Sequence, residues 1–464
     1  MARSAHRSRQ EARRAGLLLS ALLAACANLG DPPGGPPDTT PPVLAAVRPE
    51  SGSVLPDFSG DAVFQFDEVI DEMAGAGGGG SGGGAAPIGG IAKEVILSPV
   101  AGRVDVSWHR SSIHVHPKEG WKKGRVYHLE LLPGILDLRH NVRKEGQVVV
   151  FSTGPALPSA SLSGTAVAWV EQRILTGGVI RAALLPDTVA YVAMVDSSGR
   201  FHLREVPPGR YLVTAIDDKN GNRALDRREA FDSQTVQVDS SATVVLWAFP
   251  HDTAGPRPRA ADPLDSLGFK LSFTQALDPA HPLDSTAVQV FLLPDTTPVP
   301  VRAVLTQGGY DSLAARQRAL ADSIRKDSIA RADTTKRDTL AARRDTTRPP
   351  PVRADTTARA RQPQARDSAL AKRAAFDSLT RRLLAARPAP QDHFVVRVGQ
   401  ALVPGDKYFI RVRGARNLNG AVADGSAVLA VPKPEPKKTP PAPKDSTARA
   451  PKDTTAKPVP RDTT

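Results

Sequence analysis

The tightest constraint on the fold is a succession of short valine-rich runs in which apolar and polar residues alternate: "AVFQFDEVI", "KEVILSP", "GRVDVSW", "SSIHVHP", "RVYHLELLPG" and "GQVVVFSTG". Period-two alternation sends successive side chains to opposite faces, so each run makes a strand with one face buried and one face wet. Runs this short, bounded by Gly, Pro, Ser and Asp, close into antiparallel sandwiches; parallel sheets need long crossovers between strands. Covalent help is absent. The 464-residue chain has a single cysteine, Cys26, so no intramolecular disulfide forms and each module must hold itself by burial. The predicted class is mostly β: tandem antiparallel β-sandwiches, a helical or disordered insert and a disordered C-terminal tail.

The first sandwich is expected over residues 43–154. There "DTTPPVLAAVRPESGS", "FDEVI", "LSPVAGRVDVSWHRSSIHVHPKEGWKKGRVYHLELLPGILDLRHN" and "VVFSTGP" follow one another in an order and spacing that resembles the bacterial Ig-like domain of the SbsA N-terminal type, common in envelope lipoproteins. The departure is "AGAGGGGSGGGAAPIGG" at 74–90, read as a flexible loop because glycine adds freedom and no core. Residues 159–250 form a second module, whose "DSSGRFHLREVPPGRYLVTAIDD" is similar to the core hairpin of carboxypeptidase-regulatory and transthyretin-like sandwiches. That resemblance implies a tight turn at Gly199, inward Phe201 and Leu203, a return at Pro208-Gly209, and a scaffold without peptidase chemistry.

An internal match points to a third module. "GWKKGRVYHLELLPGILDLRHNV" is answered by "ALVPGDKYFIRVRGARNLNGAV", with Gly124 and Tyr127 matching Gly405 and Tyr408 at equal spacing. Residues 265–309 and 391–431 are therefore predicted to close one degenerate Ig-like sandwich around an insert at 310–390. Sheets tolerate such an insert because loop-closure entropy rises only with the logarithm of length. Alanine, arginine and leucine favour helix in the insert, Pro349 to Pro351 break it, and Leu313, Leu320 and Ile324 are too sparse for a long coiled coil. Two solvated helical arms joined by coil follow. The Pro/Lys-rich segment 432–464 is expected to be disordered and locally polyproline II.

At the other end, five arginines precede an 11-residue apolar run, Ala15 to Ala25. About 20 apolar residues are needed to span a bilayer, so the run suits a secretion signal over 1–25. Leu23-Ala24-Ala25-Cys26 resembles a bacterial lipobox, which implies cleavage before Cys26, lipidation of its thiol and, with Ala27 following, an outer-membrane address. Residues 26–42, rich in proline and glycine, read as a tether.

Charge is unevenly placed. Residues 310–390 carry 19 Lys/Arg against nine Asp, while the β modules are slightly acidic, within a net charge of +13. The basicity thus belongs to the arm and tail and not to a groove on a fold, and the arm lacks the interleaved aromatics of a nucleic-acid reader. No nucleic acid is expected as a partner; the expected partners are the membrane through the lipid anchor, an anionic envelope polymer or glycan, and other envelope proteins. The sequence points to a non-catalytic structural, assembly or interaction role in the cell envelope, with a surface adhesin or glycan-binding module as the alternative; its tryptophans, at 108, 121, 169 and 247, are scattered.

Among candidate sites, "DDKNGNRALDRRE" places Asp218, Asn220, Asn222, Asp226 and Glu229 at the first, third, fifth, ninth and twelfth positions of a calcium loop like that of an EF-hand, for a weak Ca²⁺ site. Arg223 stands at the sixth position, where glycine is usual, and Lys219, Arg227 and Arg228 oppose a cation; a cation-free turn is the competing reading. His109, His114 and His116 alternate on a strand, but no cysteine or nearby carboxylate pair completes a metal shell, so an exposed strand face is expected. Ser111 and Ser112 lack a nucleophile-elbow pattern. Asp67 and Glu68 are adjacent, so they point to opposite faces and cannot share acid–base work. No enzyme is expected. In the insert, Asp-Ser and Asp-Thr pairs make Ser312, Ser323, Thr334, Thr339 and Ser368 candidate O-glycosylation acceptors, on the premise of exposed, unpaired backbone.

Overall fold

The computed structural model describes residues 38–72, 90–336, 377–378 and 380–433. The expected signal segment with Cys26, most of the expected tether, the glycine-rich stretch 73–89, Thr339, Ser368 and the tail beyond residue 433 lie outside the described residues. Two compact units are present, one comprising Met1–Thr253 with Pro349–Pro390, the other Ala254–Arg348 with Gln391–Thr464. The first two sandwiches, expected as separate domains, therefore belong to one unit.

The first sandwich is built from β1 (Leu44–Arg48), β2 (Ala62–Phe66), β3 (Val95–Ser98), β4 (Val104–His109), β5 (Ser112–Pro117), β6 (Val126–Leu131) and β7 (Gln147–Ser152). One sheet runs β1-β2-β5-β4 and the other β3-β6-β7, all antiparallel. Their inner faces share one core, with Phe64, Phe66, Ile113 and Val115 against Leu97, Tyr127, Leu129 and Phe151. Alternation works as the sequence demands: in β2 Ala62, Phe64 and Phe66 are buried and the residues between them are not.

The second sandwich consists of β8 (Ala160–Ala168), β9 (Arg173–Ile174), β10 (Val179–Leu184), β11 (Ala190–Met194), β12 (Arg200–Val206), β13 (Gly209–Ile216), β14 (Phe231–Val238) and β15 (Ser241–Ala248). One sheet runs β11-β10-β13-β14; the other runs β12-β8-β15, with β15 parallel to β8 and β9 pairing β8. Gly199 turns at φ +76°, a left-handed conformation that suits glycine, and Phe201 and Leu203 point into the core.

The other unit holds a single eight-stranded sheet. Its strands are β16 (Pro258–Asp265), β17 (Gly268–Leu277), β18 (Val288–Leu292), β19 (Thr297–Val299), β20 (Val301–Leu305), β21 (Gln391–Val398), β22 (Lys407–Arg416) and β23 (Val422–Ala430), in the order β19-β18-β22-β23-β16-β17-β21-β20. Strands from before and after the insert interleave, β17 with β21 and β18 with β22, so neither segment has a complete sheet alone. The front segment starts with β16, ahead of the expected 265. The internal match is structural too. Tyr127 and Tyr408 are both buried and their hydroxyls accept the N–H of Lys122 and Val403, each at 2.8 Å. Asp137 Oδ1 accepts the N–H of Arg139 and Asn141, as Asn417 Oδ1 accepts those of Asn419 and Ala421.

The insert opens as one long helix, α1 (Gln307–Lys336), which begins three residues before the expected boundary. Thr306 caps it, its hydroxyl accepting the N–H of Gly309 at 3.2 Å. Tyr310 ties its first turn to the sheet by donating to Asp265 Oδ2 at 2.9 Å, and Asp265 also receives Arg397. Beyond that turn Leu320 and Ile324 stand in solvent. Among the described residues no helix is long and apolar enough to cross a membrane.

Candidate functional site

The loop between β13 and β14 collects the predicted calcium residues into one turn. Asp218 Oδ1 accepts the N–H of Gly221 at 2.8 Å and of Asn222 at 3.3 Å, and its Oδ2 accepts that of Arg223 at 2.8 Å. Asn222 Oδ1 accepts the N–H of Ala224, and the side-chain amides of Asn220 and Asn222 both donate to Asp226 Oδ2, at 2.5 and 2.9 Å. Glu229, at 6% exposure, closes the turn by accepting the N–H of Lys219 and of Asp226. Arg223 adopts φ +56°, the left-handed geometry that a calcium loop needs at its sixth position and usually obtains from glycine. The backbone path of a cation loop is thus present with an arginine in the glycine's place. Ligation requires both Asn amides to turn their oxygens inward and release Asp226.

Arg223 carries the second role of this loop. Its guanidinium reaches the first sandwich, where Nη1 donates to the Val95 carbonyl at 2.6 Å and Nη2 to the Lys93 carbonyl. Burial lowers the guanidinium pKa, offset by the nearby charges of Glu94, Glu130 and Asp218. The same junction between sandwiches includes the Val192 N–H donating to Ser98 Oγ at 3.0 Å, the Tyr191 hydroxyl donating to the Val126 carbonyl at 3.3 Å, and Tyr191 tilted on the His128 ring at 4.9 Å. A cleft of about 220 Å³ opens there, lined by His128, Glu130, Val192, Met194, His202 and Arg204 among others. Desolvation holds the His128 imidazole down to about 4 and pushes the Glu130 carboxyl up to about 6.

The remaining candidates are dispersed. Ser312 and Ser323 lie in the helix and not in unpaired backbone, and the Ser312 hydroxyl donates to the Gly308 carbonyl at 2.8 Å; Thr334 lies in the same helix. The premise of extended acceptor backbone therefore fails at these three positions, because Ala, Arg and Leu drive the segment helical. Trp169 and Trp247, far apart in sequence, meet edge to face at 6.5 Å, and Arg387 from the returning end of the insert stacks on Trp169 at 3.4 Å. Trp169 Nε1 donates to the Pro388 carbonyl at 3.1 Å. Sequence reasoning missed one cluster, Asp38, Glu68 and Asp137, whose carboxylates converge within 4.8 Å. Burial raises the Glu68 pKa, with Asp137, Asp38 and Asp67 adding to it. Glu68 belongs to it and Asp67 accepts the Val43 N–H; both lie in the bend after β2 ends at Phe66, so strand alternation does not set their directions as the sequence reading expected.

No protein-family model matches the chain, and no curated protein matches it. Among solved structures, the N-terminal part of the bacterial S-layer protein SbsC is 12% identical over 39% of this chain and 24% of its own, with a TM-score of 0.19. The chain thus spans about a quarter of that structure's length. BcpA, the major pilin subunit of Bacillus cereus, is 11% identical over 43% of this chain and 67% of its own, TM-score 0.16. A DUF3823 family protein from Bacteroides uniformis is 13% identical over 60% of this chain and all of its own, TM-score 0.15. Superpositions this loose place the chain in no family.

Proposed function

We propose that this chain is a lipid-anchored protein of the bacterial cell envelope, held in the outer membrane through Cys26, whose β modules serve a non-catalytic role in structure and interaction by displaying a basic arm. The observation that carries this reading is the way the fold spends its insert. The sheet's strands interleave from both sides of the insert, and the described start of the insert leaves the sheet on a capped helix with Leu320 and Ile324 facing solvent. With 19 Lys/Arg against nine Asp, the insert meets anionic surfaces, either an envelope polymer or lipid headgroups. Its attraction to them weakens as salt rises, since the Debye length falls from about 10 Å at 0.1 M to about 3 Å at 1 M.

Two measurements test it. Metabolic labelling with palmitate is expected to mark the native protein and spare Cys26→Ser; label retained in the variant rejects the anchor. Deleting residues 313–376, which spares Tyr310 on Asp265 and Arg387 and Pro388 on Trp169, is expected to abolish salt-sensitive retention on an anionic polymer while leaving the melting temperature of the β modules unchanged. Equal retention of the deleted protein rejects the arm as the interacting element.

A further inference from the structure

The basic charge of the arm has a counterpart on the fold itself. Strand β12 turns Phe201, Leu203 and Val206 into the core, and Arg200, His202 and Arg204 stand exposed on its other face. Register sets each of them beside a hydroxyl of β8: Arg200 opposite Thr165, His202 opposite Ser163 and Arg204 opposite Ser161. The next strand, β15, continues these rows, with Thr243 beside Ser163 and Ser241 beside Ser161. Ser163 Oγ and Thr243 Oγ1 lie 3.2 Å apart. A groove of about 490 Å³ lies over this face, lined by Ser163, Thr165, Thr243, Arg200 and His202 among others. It shares Met194 and His202 with the smaller cleft at the junction, whose wall includes Arg204.

We propose that this face of the β12-β8-β15 sheet is a binding site for an acidic polysaccharide, with Arg200 and Arg204 on its anionic groups and the serine and threonine hydroxyls on its ring hydroxyls. The chemistry of the rows carries the argument. A Ser or Thr hydroxyl both donates and accepts hydrogen bonds, as a sugar hydroxyl does, so a strip of them suits a polyhydroxylated chain. Guanidinium forks make charge-assisted, two-pronged bonds to oxyanions. Four positions of one strand separate Arg200 from Arg204 by about 13 Å, a span that meets successive charges of a polymer and is too wide for a single small anion.

The surroundings favour a glycan over a protein. Protein interfaces concentrate their affinity in aromatic anchors that bury in pockets, and no Trp, Tyr or Phe stands in the outward rows between the two arginines. Beyond those rows Trp247 puts a half-buried indole on the same face of β15, an apolar ring plane on which the C–H side of a sugar can rest. Asp196, the carboxylate in the groove wall, is turned to its own loop. Its Oδ1 accepts the N–H of Ser198 at 2.7 Å, the N–H of Arg200 at 2.9 Å and the Ser198 hydroxyl at 2.7 Å. The site rests neither on the lipid anchor nor on the arm.

Calorimetric titration of the full chain with tetragalacturonate and with a heparin tetrasaccharide, in near-physiological salt, tests this face. Saturable binding of one equivalent is expected; the carboxylate probe binding better marks uronic acids as the ligand, the heparin probe sulfated sugars. Affinity is expected to fall roughly tenfold in each of Arg200→Gln and Arg204→Gln, and severalfold in Thr243→Val. These side chains are exposed, so circular dichroism and melting of the variants should match the native protein, which separates lost binding from lost folding. The proposal is overturned if neither oligosaccharide binds saturably, or if an Arg200→Gln/Arg204→Gln double variant binds as the native chain does, which places the ligand on the arm. It is equally overturned if a glutamate tetrapeptide binds as tightly as the sugars, which makes the face a surface for acidic peptides.

Discussion

Arg223 Nη1 donates to the carbonyl of Val95 at 2.6 Å, joining a loop of the second sandwich to the β3 strand of the first across 128 positions of sequence. An arginine that looks like a defect in a calcium loop is the pin of an interface. Arg223→Ala removes both of its carbonyl bonds and takes the guanidinium charge away from buried Glu94 and half-buried Glu130. Charged hydrogen bonds are worth about 1.5–3 kcal/mol, so the unfolding midpoint in urea is expected to drop by an amount equivalent to about 2 kcal/mol. Arg223→Lys, which cannot fork to two carbonyls, should recover less than half of the loss. An Ala variant as stable as the native chain rejects the pin.

The carboxyl at the same junction sets a pH signature. Glu130 titrates near 6 in the folded chain and at about 4.3 when unfolded. A carboxyl raised by folding contributes stability below its unfolded value and loses it as pH rises to the folded one. At pH 7 the buried charge therefore costs about 2 kcal/mol. His128 works in the opposite sense: held down to about 4, it loses stability as pH falls from about 6.5. Glu130→Gln is expected to be more stable than the native chain at pH 7 by roughly 2 kcal/mol, with the advantage vanishing by pH 4.5. Urea melts at stepped pH measure this, and a difference that stays constant with pH contradicts the assignment.

Calcium, if the turn at Asp218–Glu229 takes it, binds weakly. For a dissociation constant of about 10⁻⁴–10⁻³ M, 10 mM Ca²⁺ stabilises by about 1.4–2.7 kcal/mol, which raises the melting temperature of the unit by several degrees. Asp218→Asn is expected to abolish the rise. A full chain indifferent to 10 mM Ca²⁺, or an equal rise in the variant, leaves this loop as a structural turn and Arg223 as its purpose.

The returning end of the insert is held by Trp169. Trp169→Phe loses the indole N–H to the Pro388 carbonyl and shrinks the surface under Arg387. Stacked cation–π contacts and a hydrogen bond together amount to about 1.4 kcal/mol or more, so trypsin cleavage after Arg381 or Arg382 is expected to quicken about tenfold in limited digestion. Cleavage at the native rate excludes Trp169 as the anchor.

The sequence by itself determined the strands and where each one turns. Alternation marked the run around Phe64 as a strand with one face buried because a strand has period two, and the resemblance to a core hairpin implied the turn at Gly199 and the inward Phe201 and Leu203 that the structure has. The internal match between Tyr127 and Tyr408 was legible too, since each hydroxyl meets an N–H only five residues away. What only the tertiary structure decided are the pairings between distant positions. Asp61 beside His114, Arg223 on Val95, Arg387 on Trp169 and the convergence of Asp38, Glu68 and Asp137 depend on register between strands and on the packing of one sandwich against another. Strand periodicity specifies which face a side chain takes and carries no record of which strand lies next to it, so these neighbours emerge only when the sheets are assembled.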